Sequence, residues 1–118
     1  MLPTIVAPIS TNCTWPSAGD SIAVTTRLFS QKIDGLVANA ALADSVGGAR
    51  YDEITVEDWD RLMAVNVRGT WLTCKAVAPH MQEIKRGSIV TIGSDTALWG
   101  SPNLLHYVTT KGAVTAFT

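Results

Sequence analysis

Gly87-Ser-Ile-Val-Thr-Ile-Gly-Ser94 decides how the rest of the chain is read. It is continuous and β-branched, the strongest strand signal present. Upstream, Ile33-Asp-Gly-Leu-Val-Ala-Asn39 is a second short apolar run closed by a polar residue, as a buried parallel strand would be. Between the two lies a loop over 41–54, loosened by Gly47 and Gly48, and then a helical pattern. Thr55-Val-Glu-Asp58 gives a start resembling a capping box, and Val56, Trp59, Met63, Val67, Cys74, Val77 and Met81 recur at three- and four-residue steps. This predicts one helix over 55–84, roughly 40 Å long. Pro79 removes a backbone donor inside it and is expected to kink the helix or end its regular part.

Farther out, Thr4 to Ile9 is a short β-branched run that Pro8 confines to an edge position. A helix of modest amphipathicity is expected from Ser17 to about Gln31, with Ala18, Ile22, Leu28 and Phe29 at mixed helical spacing. After Ser94 a turn-rich stretch runs through Gly100-Ser-Pro102, and a last helix opens near Asn103 and is still running at Thr118. Strands alternating with helices point to an α/β, Rossmann-like doubly wound parallel sheet of about three strands and three helices. Ligands of such sheets bind beyond the carboxyl ends of the strands, which makes Asn39 and Ser94 the first suspects.

Composition agrees with a single domain: 118 residues, 47% hydrophobic, 16% charged, net charge −1. That balance argues against disorder and against a basic nucleic-acid-binding surface. Cys13 and Cys74 show no metal-ligand spacing and read as reduced, half-buried thiols; no metal site is expected. Met1-Leu-Pro-Thr-Ile-Val-Ala-Pro-Ile-Ser10 lacks a basic flank and is interrupted by Pro3 and Pro8, so neither a membrane span nor an export signal is expected, and a cytoplasmic location is. Without export, the glycosylation triplet Asn12-Cys13-Thr14 is a chance match.

Tyr107 and Lys111 stand four apart in Tyr107-Val-Thr-Thr-Lys111, on one face of a helix. A phenol is a poor base at neutral pH, and making it one takes about 4 kcal/mol of preferential phenolate stabilisation. An ammonium about 4 Å away supplies an interaction of that order at an effective dielectric near 20. The pair is thus a candidate acid/base unit for proton transfer to or from an oxygen. Tyr-x-x-x-Lys alone is a weak motif, but Ser94 lies thirteen residues before Tyr107 at the end of the best strand. Asn66 sits close to the apolar stripe of the long helix, where a polar amide must find partners, either neighbouring backbone or a functional group.

In these registers the chain resembles the short-chain dehydrogenase/reductase family in its classical form, from about Phe29 to the last residue. Ala38-Asn39-Ala40-Ala41 resembles the family's Asn-Asn-Ala-Gly motif, with the first Asn and the final Gly replaced. Val65-Asn66-Val67-Arg68-Gly69 resembles the segment of the catalytic Asn, while Ser94 and Tyr107-Val-Thr-Thr-Lys111 match the strand-end Ser and the Tyr-x-x-x-Lys pair. The resemblance implies an NAD- or NADP-dependent oxidoreductase interconverting a small alcohol and a carbonyl by hydride transfer. Asn66, Ser94, Tyr107 and Lys111 would be catalytic, and Asn39, Tyr107 and Lys111 would bind the cofactor. Tyr107 would be the acid/base, Lys111 would support its phenolate and hold the nicotinamide ribose, and Ser94 would hydrogen-bond the reacting oxygen. Asn66 would hold a relay water. The resemblance also implies homo-oligomers through the helices 55–84 and 103–118.

The family's Gly-rich turn, which receives the pyrophosphate at a helix N-terminus, has no counterpart among the nine glycines, and its first two strands are missing. In the strand order 3-2-1-4-5-6, Thr4 to Ile9 would be the third strand without its native neighbour, leaving a face and an edge of the sheet open. Residues 1–118 therefore read as a partial NAD(P)-binding Rossmann-like domain, expected to be a fragment of an oxidoreductase. The first alternative is a non-catalytic, degenerate oligomerisation or interaction module of the same fold. The second is a serine hydrolase using Ser94 with His106 or His80 and Asp95, against which the missing Gly-x-Ser-x-Gly elbow weighs. His106 is expected to point about 100° away from Tyr107. Trp99 is placed to wall a substrate pocket.

Overall fold

The structure, a computed structural model, describes residues 33–43 and 48–118. The expected strand at Thr4–Ile9, the helix from Ser17 to Gln31, and Cys13 lie outside the described residues. Two strands are present among them, β1 (Gly35–Ala38) and β2 (Ser88–Thr91), paired in parallel with Leu36 opposite Ile89 and Val37 opposite Val90. The sheet is thus parallel and adjacent, as the two apolar runs predict. Ser88 N donates to Asp34 O at 3.0 Å, and the Arg86–Asp34 ion pair (3.4 Å) joins the same two strand entries at the surface.

The crossover between the strands is helical from Val56 to Glu83, in three windings. It comprises α1 (Val56–Leu62), a π-helical segment (Met63–Gly69) and α2 (Thr70–Glu83). Thr55 caps α1 by accepting from Asp58 N at 3.1 Å, with Glu57 and Asp58 at the positive end of the helix dipole. The extent agrees with the apolar periodicity, but the winding does not. Pro79 does not end the helix, which continues to Glu83; the departure from α geometry lies at Met63–Gly69. Pro79 removes one intrahelical donor without ending the helix, which the packing of Cys74, Val77 and Met81 on the sheet holds on either side of it. The helix is closed by Lys85 in the left-handed region (φ 52°), with Arg86 N donating to Met81 O at 3.0 Å.

α2 covers one face of the sheet. Leu36 and Ala38 point toward it and pack with Ile33, Cys74, Val77 and Met81. Alternation along the strands sends Val37 and Val90 to the opposite face, where they are exposed. Cys74 is buried in this cluster rather than half-buried, because its helical register faces the sheet, and desolvation raises its thiol pKa.

The stretch after Ser94 is more ordered than its turn residues suggest. It contains a short helix, α3 (Thr96–Trp99), which Gly100 ends at φ 78°. The last helix, α4 (Leu105–Ala116), starts later than Asn103, because Asn103 is itself in the left-handed region (φ 61°). It stops at Ala116 instead of running through Thr118; Phe117 N closes it with a tightened bond to Val114 O. No described helix is long and apolar enough to cross a membrane.

Candidate active site

Asn66 lies in the middle of the π-helical segment, a winding that recurs at functional sites. It is 1% exposed, and its amide is engaged on three sides. Oδ1 accepts from Leu42 N at 2.7 Å, while Nδ2 donates to Leu42 O at 3.1 Å and to Thr110 Oγ1 at 3.0 Å. Both amide protons are therefore committed to protein acceptors, so a relay water would meet only the remaining acceptor capacity of Oδ1. The main-chain carbonyl of Asn66 accepts from Thr70 Oγ1 at 2.8 Å. The residue clamps the segment that leaves β1 onto the long helix and onto α4.

α4 carries Tyr107 and Lys111. Lys111 is buried at 5% exposure, and its Nζ donates to Ile92 O at 2.7 Å and stands 5.8 Å from the centre of the Tyr107 ring. Loss of hydration disfavours the charged form and lowers the Lys111 pKa. Thr110 Oγ1, fully buried, donates to Tyr107 O at 2.7 Å while accepting from Asn66. Residue 111 thus holds α4 to the exit of β2, and residue 110 holds it to the π-helical segment.

Ser94 lies just beyond β2, near the point where Lys111 grips the strand exit. Its Oγ is 2.9 Å from Thr96 Oγ1, accepts from Thr96 N at 3.3 Å and approaches Asp95 Oδ1 at 3.4 Å. No imidazole is among these partners, so the hydrolase reading lacks its base. The chain passes α4 closely here: a Cβ on Gly93 would come within 3.2 Å of Thr115 Oγ1. Asn39 sits exposed just past the end of β1, its N–H turned back to Val37 O at 3.1 Å. Asn39 and Ser94 thus share the carboxyl edge of the sheet. The loops beyond that edge meet where Ala49 N donates to Asn103 O at 2.8 Å, beside a pocket of about 290 Å³ lined by Arg50, Tyr51, Ser101, Leu105 and Val108.

His106 is 1% exposed with no hydrogen-bond partner for Nδ1, whereas Trp99 is 64% exposed at the end of α3 and lines no part of that pocket. Leu42, Thr110 and the Ile92 carbonyl escape sequence reasoning. Two of the three contribute backbone groups, which carry no residue-type signal, and Thr110 reads as one more polar helix residue.

A profile described as short chain dehydrogenase matches residues 7–118. A protein of Xanthobacter autotrophicus named inactive 2-(S)-hydroxypropyl-CoM dehydrogenase 2 is 44% identical over 86 residues, 73% of this chain and 36% of that protein. The 2-(R)-hydroxypropyl-CoM dehydrogenase of the same organism is 42% identical over 98 residues, 83% of this chain and 39% of that protein. Among solved structures, an NAD+-bound xylitol dehydrogenase superposes with a TM-score of 0.79 at 32% identity, covering 86% of this chain and 38% of that one. The chain thus spans well under half the length of these relatives.

Proposed function

The chain belongs to the short-chain dehydrogenase family, and from that premise we propose that it interconverts a small alcohol and a carbonyl compound with NAD or NADP, with Tyr107 exchanging the proton. The observation that carries this reading is the Lys111 ammonium, withdrawn from water, fixed on Ile92 O and set on the same helix face as Tyr107. It brings the Tyr-x-x-x-Lys turn to the strand exit that leads to Ser94. The donor set suits the ribose end of a nicotinamide cofactor. Lys111 commits one of three ammonium protons to the protein among the described residues, leaving two for vicinal hydroxyls, with Asn39 at the neighbouring strand end.

When bound, the nicotinamide supplies or accepts the hydride. In the oxidising direction Tyr107 takes the hydroxyl proton of the alcohol as its carbinol hydrogen leaves as hydride; in reduction Tyr107 returns a proton to the carbonyl oxygen. The positive charge of Lys111 favours the phenolate of that exchange. Ser94 Oγ hydrogen-bonds the reacting oxygen, and Asn66 keeps the segment after β1 in register with α4. Tyr107→Phe tests the assignment: turnover followed by nicotinamide absorbance is lost while the thermal midpoint stays that of the wild type. Unchanged turnover would remove Tyr107 from the mechanism.

A second reading is a non-catalytic interaction module of the same fold in the cytoplasm, paired with a second copy through the helices 55–84 and 103–118. It is favoured by a groove of about 740 Å³ lined by Met63, Val67, Arg68, Trp71 and Phe117, in which both aromatic rings are exposed. Sedimentation of the wild type against Trp71→Glu separates the two: a dimer that dissociates, without any hydride transfer in the wild type, favours the module.

A further inference from the structure

The hydroxyl of Thr110 stands where two independent parts of the site meet. It is fully buried, accepts from Asn66 Nδ2 at 3.0 Å and donates to Tyr107 O at 2.7 Å. A threonine in a helix commonly bonds back to a carbonyl of the preceding turn, and that bond alone needs nothing from outside α4. Here the remaining lone pairs face the π-helical segment and take a proton from Asn66. Asn66 in turn holds both backbone groups of Leu42. A single chain of hydrogen bonds thus runs from the segment leaving β1, through Asn66 and Thr110, into the main chain of Tyr107.

We infer that Thr110 is a positioning residue that sets the orientation of the Tyr107 turn, an inference that rests on Tyr107 as the proton-exchanging group. α4 is held by side-chain bonds from two adjacent residues, Lys111 to the β2 exit and Thr110 to the π-helical segment. Consecutive side chains of a helix point about 100° apart, so these two bonds restrain rotation about the helix axis from different sides. Removing the hydroxyl takes away one of these two side-chain restraints and strands one Asn66 amide proton in a buried position. Tyr107 lies one turn from both anchors, so a small rotation shifts its hydroxyl relative to Ser94.

The test uses Thr110→Val, which keeps the shape and removes the hydroxyl, beside Thr110→Ser, which keeps the hydroxyl. In Thr110→Val, hydrogen exchange of the Leu42 amide and the Asn66 side-chain protons accelerates about tenfold relative to the Val77 amide, the equivalent of one lost buried hydrogen bond. The Tyr107 ring resonances shift, kcat falls by at least about tenfold with cofactor affinity unchanged, and Thr110→Ser restores all of these. Thr110→Ala serves the same readouts should the valine variant not fold. Exchange at Leu42 and Asn66 equal to the wild type, an unmoved Tyr107 ring, or no rescue by serine would overturn the inference. A wild type without hydride transfer would remove the oxidoreductase reading by itself, while exchange and ring shifts would still decide whether Thr110 holds this turn.

Discussion

Replacing Asn66 by alanine removes a side chain that joins the exit of β1, the long helix and α4. Three hydrogen bonds are lost, at 2.7, 3.1 and 3.0 Å. At roughly 1 kcal/mol net for each, discounted for the partial exposure of the two to Leu42, the bonds account for about 2 kcal/mol. The space left by a side chain that is 1% exposed adds to this. The expected destabilisation is therefore about 2–4 kcal/mol, read as a lower midpoint in urea unfolding with an unchanged slope. Asn66→Asp sharpens the argument: it keeps an acceptor for Leu42 N but presents oxygen, in place of a donor, to the Leu42 carbonyl. It should recover little of the loss. A change below about 0.5 kcal/mol for Asn66→Ala would refute the clamp, since surface substitutions already reach that size.

Other outcomes follow from the same packing. Burial lowers the Lys111 pKa below its ordinary 10.5, so between the lowered folded value and 10.5 the unfolded chain binds more protons. The stability of the wild type relative to Lys111→Met should therefore rise as pH climbs through the lowered folded value toward 10.5 in urea titrations; a flat or falling difference contradicts the burial of a charged amine. Pro79→Ala restores a donor inside α2 and should raise the thermal midpoint, by the equivalent of about 1–2 kcal/mol once the greater freedom of the unfolded chain is subtracted. Gly87→Ala would press a methyl against the Met81 side chain and should destabilise by about 1–3 kcal/mol in the same assay. A wild-type midpoint for Gly87→Ala would mean that Met81 has room to move aside.

What could be read in advance divides along a physical line. Apolar runs and spacing made the two parallel strands and the extent of the helical crossover legible, and Cys74, Val77 and Met81 are the buried face expected; before them the buried positions are Leu62, Asn66 and Thr70, while Val56 is exposed. The winding of that crossover was not legible. A π-helical stretch at Met63–Gly69 closes its bonds one residue farther along and changes which side chains face inward, so Leu62, Asn66 and Thr70 are buried there in place of Met63 and Val67. Pro79 does not end the helix, because one missing donor is outweighed by the packing of Cys74, Val77 and Met81 against the sheet on either side of it. The late start of α4 turns on the left-handed backbone of Asn103, a conformation Asn tolerates but does not announce. In the site, Tyr107 and Lys111 could be paired by their spacing, and Lys111 does lie over the Tyr107 ring. The partners that fix them, Ile92 O and the hydroxyl of Thr110, are set by tertiary approach and left no mark in residue spacing.

Transfer of an isotopic label shows whether the chain passes hydride to a carbonyl carbon. The chain is incubated with reduced nicotinamide cofactor carrying deuterium at the transferable position and with a panel of small ketones and aldehydes. The alcohols are then analysed by mass spectrometry. Deuterium is expected on the carbinol carbon of at least one product, and its loss is expected in Tyr107→Phe. A chain that binds the cofactor saturably yet transfers no label to any carbonyl would contradict the hydride-transfer reading.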